Sequence, residues 1–375
     1  MSNPQPELTD EYFMARAIEL AARGLYTTMP NPCVGCVLVS DGEVIGEGFH
    51  QRAGEGHAEV NALASVDAVR VRGATAYVSL EPCSHHGRTG PCCEALVNAG
   101  ISRLVVAMQD PNPNVAGRGI AFCEAAGIEV KVGVCEAAAQ QLNVGFVKRM
   151  RQQRPFVRVK LAASLDGRTA MASGESKWIT GPAARRQVQR LRARSCAIIS
   201  GVAAVLADDS RLTVRESESG LSSSEAGPAP LRVIIDSQLR LPPTASMLSE
   251  EGRTLVFTTA RREPQAQALS NAGAEIIEVA ASDEGHVSLA AVLSYLASEE
   301  SCNEVLVESG ASLAGAVMAE NLVDEVVIFM APTLLGSTAL PLFDMKLTQM
   351  SEQQRLVISD VRAVGDDWQI TARPA

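Results

Sequence analysis

The chain carries His57-Ala58-Glu59, followed by Glu81-Pro82-Cys83 and Pro91-Cys92. One imidazole and two thiolates are ligands that Zn²⁺ prefers, and three protein ligands leave a fourth position open for water. Glu59 adds a carboxylate that can move protons. The stretch therefore predicts a catalytic metal site on a mixed α/β scaffold, with His57, Cys83 and Cys92 as metal ligands and Glu59 as the catalytic group.

The order H-x-E, then P-C, then a further cysteine is the pattern of zinc-dependent deaminases. Zinc lowers the pKa of bound water from 15.7 to about 7 in such sites. The activated water attacks a ring carbon that carries an exocyclic amine, and Glu59 passes its proton to the ring nitrogen and then to the departing ammonia. The alternatives are a structural zinc, which takes four protein ligands and needs no glutamate, or ordinary buried cysteines.

The spacing of the cysteines departs from the commonest deaminase pattern. Eight residues separate Cys83 from Cys92, instead of the usual two. Cys93 is therefore a competing ligand, and Cys92 is preferred because it repeats the Pro-Cys context. The intervening segment contains His85, His86 and Arg88, which suit a substrate with phosphate or several carbonyl and amino groups.

Composition indicates a globular enzyme. A length of 375 residues predicts two domains, and no apolar run is long enough to span a bilayer. The first residues lack the pattern of a signal peptide, and nine cysteines cannot all pair, so a reducing cytoplasm is expected. The net charge of −10 argues against a nucleic-acid surface.

Alternating helix and strand patterns predict an α/β domain over residues 1–150, with helices on both faces of a sheet. The predicted helices cover residues 9–24, 57–66, 91–99, 120–126 and 135–150. The predicted strands cover residues 33–39, 43–49, 74–80, 103–107 and 129–132, the first two as a hairpin around Asp41-Gly42.

A charged segment that ends in a proline, residues 148–155, predicts the joint to a second domain over residues 155–375. Its predicted strands cover residues 156–163, 196–201, 231–235, 254–258, 275–279, 304–308 and 324–331. Its predicted helices cover residues 182–194, 264–272, 288–298 and 312–320. Residues 216–230 are rich in Ser, Gly, Glu and Pro, which predicts a mobile surface loop.

Two flanking segments relate the metal motif to a known family. Asn31-Pro32-Cys33-Val34-Gly35 precedes the motif, and Asp110-Pro111-Asn112-Pro113 follows it. With the segment 83–92, they resemble the pyrimidine deaminase of riboflavin biosynthesis. The chain has Gly90-Pro91 where that family usually has two prolines, which changes the stiffness of the loop but not the ligand chemistry.

The second half resembles the reductase of the same pathway, a dihydrofolate-reductase-like domain. The matching segments are residues 160–168, 173–181, 205–209, 212–215, 235–237 and 307–315. The chain thus resembles the bifunctional deaminase/reductases of riboflavin biosynthesis over nearly its whole length. The resemblance implies a cytidine-deaminase-like three-layer α/β/α domain followed by a dihydrofolate-reductase-like α/β domain.

Some reductase features have a physical basis of their own. Small residues after the predicted strand 304–308 can bring backbone N–H groups to the phosphates of a dinucleotide, although by themselves they favour a tight strand-to-helix packing turn. Lys160, Arg192 and Arg215 are candidates for holding a phosphate, or they are solvated surface charges. Trp178 either packs on a cofactor or fills a core.

The resemblance implies the reaction and the binding residues. The substrate is a diaminopyrimidinone with a phosphoribosylamino group, which is deaminated and then reduced from ribosyl to ribityl with NADPH. Zn²⁺ and NADPH are the implied cofactors. The implied substrate contacts are Asn31, His50, His85 and Asp110 in the first domain and Lys160, Ser176, Arg192, Leu212, Arg215 and Glu308 in the second. The implied NADPH contacts are Ala162, Trp178, Ala204, Asp208, Ser237, Gly310, Ala311, Ser312, Leu313, Ala314, Gly315 and Ala316.

Two other functions remain compatible with the sequence. One is a nucleic-acid or nucleoside deaminase with an unrelated second domain, and the other is a deaminase whose reductase half serves as a scaffold. The acidic charge opposes the first, and the retained Lys160, Arg192, Asp208 and Glu308 oppose the second. We expect a small-molecule substrate, no nucleic-acid or membrane partner, and a homo-oligomer.

Overall fold

The computed structural model describes residues 9–85, 90–113 and 115–375. The chain divides between Gln153 and Arg154 into two compact units, which are described separately. No helix among the described residues is long and apolar enough to cross a membrane.

The first unit is a five-stranded sheet with helices on both faces. Its strands are β1 (Gly35–Ser40), β2 (Glu43–Phe49), β3 (Thr75–Val78), β4 (Arg103–Val106) and β5 (Glu129–Val132). Its helices are α1 (Asp10–Ala22), α2 (Ala58–Ala64), α3 (Ala68–Val71), α4 (Cys92–Ala99), α5 (Arg118–Ala125), α6 (Glu136–Leu142) and α7 (Val144–Gln152). The strand order is β2-β1-β3-β4-β5; β1 runs antiparallel to β2 and β3, and β3, β4 and β5 are parallel.

Side chains that alternate between the two faces of the sheet produce a three-layer structure, with the sheet between two layers of helices. Leu38 and Val78 pack in one core cluster with residues of α2 and α4, whereas their neighbours Val37 and Tyr77 pack in a second cluster with residues of α1 and α7. Successive strand residues point to opposite faces of a sheet, so each face is covered by its own helices. The predicted α/β/α fold is confirmed.

One predicted helix of this unit is divided in two. The pattern over residues 135–150 predicts a continuous helix, but the structure breaks it at Asn143, between α6 and α7. The side chain of Asn143 bonds to the backbone of Cys33, 110 positions away in sequence. That long-range contact is invisible to local periodicity.

The second unit is a nine-stranded, mostly parallel sheet. Its strands are β6 (Phe156–Ser164), β8 (Ala197–Gly201), β9 (Leu231–Ile235), β10 (Thr254–Thr258), β11 (Ala274–Glu278), β12 (Glu304–Glu308), β13 (Glu325–Ala331), β15 (Leu356–Val364) and β16 (Asp367–Pro374), and a separate pair is β7 (Arg168–Ala170) with β14 (Leu340–Pro341). Its helices are α8 (Pro182–Ala193), α9 (Val202–Asp208), α10 (Glu216–Ser219), α11 (Gln265–Asn271), α12 (Leu289–Ser298) and α13 (Ala311–Ala319), with short 3₁₀ turns at Ser246–Ser249 and Met350–Glu352. The large sheet has the order β11-β10-β9-β8-β12-β6-β13-β16-β15.

The strand order reverses beside β6, and this reversal creates the site of the second unit. From β6 the chain passes to β8 and moves outward to β11, then returns to insert β12 between β8 and β6. These three strands are parallel, so their carboxyl ends lie at one edge of the sheet. Ligands of open α/β sheets bind at such a reversal.

One prediction for the second unit needs correction, and one hairpin was missed. Residues 216–230 are not wholly an exposed loop, because they begin with α10 and Ser219 is buried. The carbonyl oxygen of Ser219 accepts a hydrogen bond from Arg190 Nε at 3.0 Å. The hairpin of β15 and β16 was not predicted, because β15 is exposed along nearly its whole length and lacks apolar–polar alternation.

Candidate active sites

The predicted metal ligands converge in the first unit. His57 precedes α2, Cys83 follows β3, and Cys92 is the first residue of α4. Their ligand atoms all lie within 4.8 Å of one another, with His57 Nδ1 3.2 Å from Cys92 Sγ and 3.5 Å from Cys83 Sγ. Zinc bonds of about 2.0–2.3 Å in a tetrahedron require ligand separations of this size, so the three residues fit Zn²⁺.

The two adjacent cysteines of α4 have different surroundings. Cys92 lies in the ligand cluster, and its backbone N–H donates to Cys83 Sγ at 3.4 Å. Cys93 is buried in the hydrophobic cluster beneath the sheet, together with Leu96 and Val78. This geometry favours Cys92 over Cys93 as the third ligand, in agreement with the preference taken from the Pro-Cys context.

The site stabilises a thiolate and holds a carboxyl group that titrates near neutrality. Hydrogen bonds from Cys92 and His57 lower the pKa of Cys83 to about 4, against the opposing effect of burial. Burial raises the pKa of Glu59 to about 7. Glu59 lies in the first turn of α2 and interacts with all three candidate ligands. A carboxyl group with a pKa near 7 can both accept and donate a proton at physiological pH.

His50 connects the cluster to Asn31. The ring of His50 packs edge-on against that of His57, with centroids 5.4 Å apart. His50 Nδ1 lies 3.1 Å from the carbonyl oxygen of Gly56, which can only accept, and Nε2 lies 3.1 Å from the amide nitrogen of Asn31, which can only donate. Burial lowers the pKa of His50, so the neutral Nδ1–H tautomer satisfies both contacts. Both ring nitrogens are thus occupied, and His50 is 3% exposed.

The other predicted deaminase contacts lie on loops. Asp110 accepts a hydrogen bond from the backbone N–H of Asn112 at 2.8 Å, and burial raises its pKa. His85 is exposed, and its charge acts to lower the pKa of Asp110, against the effect of burial. His86 and Arg88 lie outside the described residues.

Glu81 has a role that sequence reasoning missed. Its buried carboxylate accepts hydrogen bonds from the backbone N–H groups of Gly117, Gly119, Asp110 and Ile120 at 2.9–3.3 Å. It therefore ties the loop of Asp110 and the start of α5 to the strand end that leads to Cys83. The sequence signal that could have revealed this role is the position of Glu81 directly before Pro82-Cys83.

Three charged residues meet at the carboxyl edge of the second sheet. Arg192 Nε and Nη2 donate to the two carboxylate oxygens of Glu308 at 2.6 and 2.9 Å, and Lys160 Nζ lies 3.6 Å from Glu308. Burial opposes ionisation of Glu308, but the charges of Arg192 and Lys160 lower its pKa to about 2. Two cations against one anion leave a positive charge in excess, which suits an anionic substrate.

The remaining predicted substrate contacts of this unit are less closely grouped. The side chain of Arg215 is exposed, and its Nη1 lies 3.1 Å from Glu218 Oε1. Leu212 is buried in a core cluster with Val202 and Val205, so its side chain has a packing role. Ser176 is half-buried in the segment between β7 and α8.

The turn into α13 leaves backbone N–H groups free of a cap side chain. The N-cap is Gly310, so no cap side chain competes for the N–H groups of the first turn. Ala314 and Gly315, however, are buried, and a Cβ at Gly315 would lie 2.2 Å from the carbonyl oxygen of Asp344. Gly315 thus packs closely on the backbone of Asp344, and the contact of these two residues with NADPH stays a prediction. Of the rest of the set, Ala311, Leu313 and Ala316 are half-buried and Ser312 is exposed.

The other predicted cofactor contacts surround the same edge. Trp178 is 66% exposed and stacks on Arg185, whose guanidinium carbon is 4.6 Å from the ring centroid, so it does not fill a core. Asp208 Oδ1 lies 3.6 Å from Lys177 Nζ. Ser237 Oγ accepts a hydrogen bond from the backbone N–H of Val287 at 3.0 Å. The two remaining positions are Ala162 on β6 and Ala204 on α9.

Both units match known families. Residues 8–108 match the cytidine and deoxycytidylate deaminase zinc-binding region, and residues 155–370 match the RibD C-terminal domain. The riboflavin biosynthesis protein RibD of Escherichia coli strain K12 is 49% identical over 96% of this chain and 98% of its own. The chain belongs to the RibD family.

Solved RibD structures have the same fold over the full length. Acinetobacter baumannii RibD is 46% identical and superposes with a TM-score of 0.90, covering 98% of this chain and 99% of its own. A Thermotoga maritima deaminase/reductase is 35% identical with a TM-score of 0.84 and the same coverage. The predicted deaminase and reductase domains are therefore confirmed, and the protein is a bifunctional enzyme of riboflavin biosynthesis.

The difference between Cys92 and Cys93 can be tested directly. We expect Cys92→Ser to lose bound zinc and to reduce ammonia release to background, because it removes one of three ligands. Cys93→Ser should keep its zinc and lose only packing energy, since its thiol lies in the core. Zinc content by atomic absorption, measured with deaminase rate, checks both. Equal zinc loss in the two variants would contradict this ligand assignment.

Proposed function

We propose that the protein removes the 2-amino group of 2,5-diamino-6-(5-phosphoribosylamino)pyrimidin-4-one and then reduces the ribosyl side chain to ribityl. The Thermotoga maritima relative is named for a diaminohydroxyphosphoribosylaminopyrimidine deaminase and a 5-amino-6-(5-phosphoribosylamino)uracil reductase. The observation that carries the proposal is the cluster of His57, Cys83 and Cys92 beside buried Glu59, in one chain with a RibD reductase domain.

In the deaminase, Glu59 moves the protons. His57, Cys83 and Cys92 would hold Zn²⁺, which would supply the Lewis acidity that lowers the pKa of water to about 7. Glu59 accepts one proton of the attacking water and passes it to the ring nitrogen. It then takes the remaining hydroxyl proton of the tetrahedral adduct and delivers it to the amino group, which leaves as ammonia while the carbonyl forms. Asn31, His50, His85 and Asp110 are the proposed substrate-binding groups, and His50 also holds the amide of Asn31.

In the reductase, Lys160, Arg192 and Glu308 bind the phosphoribosyl part of the intermediate. The first N–H groups of α13 hold the phosphates of NADPH, because a helix N-terminus favours anions. NADPH would supply the hydride that C1′ receives when the ring-opened imine is reduced, and the imine nitrogen would take a proton.

The proposed function is tested on the full chain. Titration with NADPH should give saturable binding, and the purified deaminated intermediate should be reduced without zinc-dependent chemistry. Ammonia release from the diaminopyrimidinone should depend on zinc. A zinc-loaded chain that binds no NADPH would contradict the reductase half, and one that deaminates only free nucleosides would contradict the substrate.

We also propose that the protein is a homo-oligomer that associates through β15. This strand ends the nine-stranded sheet, and its Val357, Ile358 and Val361 are 59%, 60% and 51% exposed. An unpaired apolar edge is a template for pairing with a second copy. The cytoplasm is the proposed compartment, because the metal site needs thiolates and an oxidising compartment favours disulfides.

If two copies associate through β15, a charge introduced on that strand should disrupt the oligomer. Ile358→Lys should convert the oligomer to single chains, because lysine on an edge strand opposes pairing. Val69→Lys, at another exposed apolar position, should leave the assembly unchanged. Light scattering after size-exclusion chromatography measures both masses. A wild-type protein that is a single chain at micromolar concentration would contradict the proposal.

A further inference from the structure

The loop that precedes β1 is held by a side chain from the far end of the unit. Asn143 is buried between α6 and α7. Its Oδ1 accepts from the backbone N–H of Cys33 at 2.7 Å, and its Nδ2 donates to the carbonyl oxygen of Cys33 at 2.9 Å. One amide thus satisfies both backbone groups of Cys33, as a neighbouring strand would.

The other contacts of the loop include local ones: the Asn31 N–H donates to the carbonyl oxygen of Thr28 at 2.8 Å, and Thr28 Oγ1 lies 3.4 Å from Cys33 Sγ. Pro30 and Pro32 have no N–H to donate, and β1 begins only at Gly35. Arg149 on α7 adds a weaker contact at 3.5 Å to the carbonyl oxygen of Pro30. The α6–α7 segment therefore holds this loop at two points, and Asn143 supplies the shorter contacts.

The position of Cys33 determines the position of Asn31. The two residues are joined through Pro32, whose ring restricts the backbone between them. Asn31 Nδ2 donates to His50 Nε2, and the ring of His50 packs on that of His57. With Nδ2 directed at His50, the Oδ1 atom of Asn31 is the acceptor that the amide can offer to a substrate N–H group.

We propose that Asn143 is a positioning residue of the deaminase, acting through Cys33 on the substrate-binding amide of Asn31. The proposal rests on the proposed deamination, since it assigns Asn31 to substrate binding. Asn143 lies outside the residues that match the deaminase zinc-binding region. A change there should weaken substrate binding while the metal ligands and Glu59, on other elements, keep their places.

The test compares Asn143→Ala and Asn143→Asp with Gln140→Ala in the full chain. Asn143→Asp keeps the acceptor for the Cys33 N–H but turns a carboxylate oxygen toward the Cys33 carbonyl. Gln140 Nε2 donates to Glu136 Oε1 on its own helix at 2.8 Å, and Gln140 is the matched control. Both Asn143 variants should raise the KM of deamination about tenfold or more, with kcat changed by less than about threefold.

Two further readouts separate positioning from folding. Zinc content and reduction of the deaminated intermediate should equal those of the wild type, because the reductase domain of the same chain is unaffected. Unchanged KM in both variants would overturn the proposal, and so would a fall in deamination that only follows lost zinc or a lower melting temperature. A wild-type chain that does not deaminate the pyrimidine would instead refute the proposed function.

Discussion

Replacing Glu59 by glutamine is expected to slow ammonia release about 10²- to 10⁴-fold, the usual contribution of a general acid–base group. Glutamine has the shape of glutamate but cannot accept the water proton. Glu59 is buried, and its pKa of about 7 suits it to both proton transfers. The zinc ligands lie on other residues, so the metal should stay bound.

The same variant should leave the second reaction intact. The deaminated intermediate should be reduced by the Glu59→Gln protein at the wild-type rate, because β6 to β16 and their site belong to the other unit. Glu43→Gln, an exposed glutamate of the same unit, is the matched control and should change neither rate. Loss of both reactions in Glu59→Gln, with zinc retained, would contradict the two-site description.

Replacing Glu308 by glutamine is expected to abolish reduction and to destabilise the second unit. The side chains of Arg192 and Glu308 are 13% and 9% exposed, and removing one partner of a buried pair costs about 3–5 kcal/mol. The variant also removes the group that holds Arg192 and Lys160 at the carboxyl edge. Thermal unfolding and NADPH oxidation measure the two effects.

An exposed ion pair supplies the control for Glu308→Gln. Glu275 also receives two hydrogen bonds from one arginine, Arg253, but about half of each side chain is exposed. Glu275→Gln should cost no more than about 1 kcal/mol and leave NADPH oxidation unchanged. If Glu308→Gln destabilised the protein no more than Glu275→Gln and kept its reductase activity, the assigned role of Glu308 would be wrong.

The local sequence pattern was sufficient to predict those strands and helix ends that are marked by an apolar run or a glycine. Three strands of the second sheet, β9, β10 and β12, have the predicted bounds, because each is a short apolar run buried between helices. The helix α4 ends where Gly100 adopts a left-handed conformation with φ of 78°, as the glycine predicts. The metal site was also predictable, since its residue types and spacing express its chemistry.

What the sequence left out depends on contacts between distant residues. The break at Asn143 and the four backbone donors of Glu81 join segments 29 to 110 positions apart. The burial of Ala314 and Gly315 likewise depends on Asp344 and on the core around α13. The edge strand β15 has no buried face to impose a pattern. Local sequence patterns do not predict such features, because they depend on how the sheet and helices pack together.

The most direct test of the account follows ammonia and NADPH in one vessel that contains the zinc-loaded chain and the phosphoribosylaminopyrimidine. The account predicts one ammonia released for each NADPH oxidised, with ammonia released first. Without NADPH, ammonia should still be released and the deaminated intermediate should accumulate. Oxidation of NADPH without ammonia release, or ammonia release that never leads to NADPH oxidation, would contradict it.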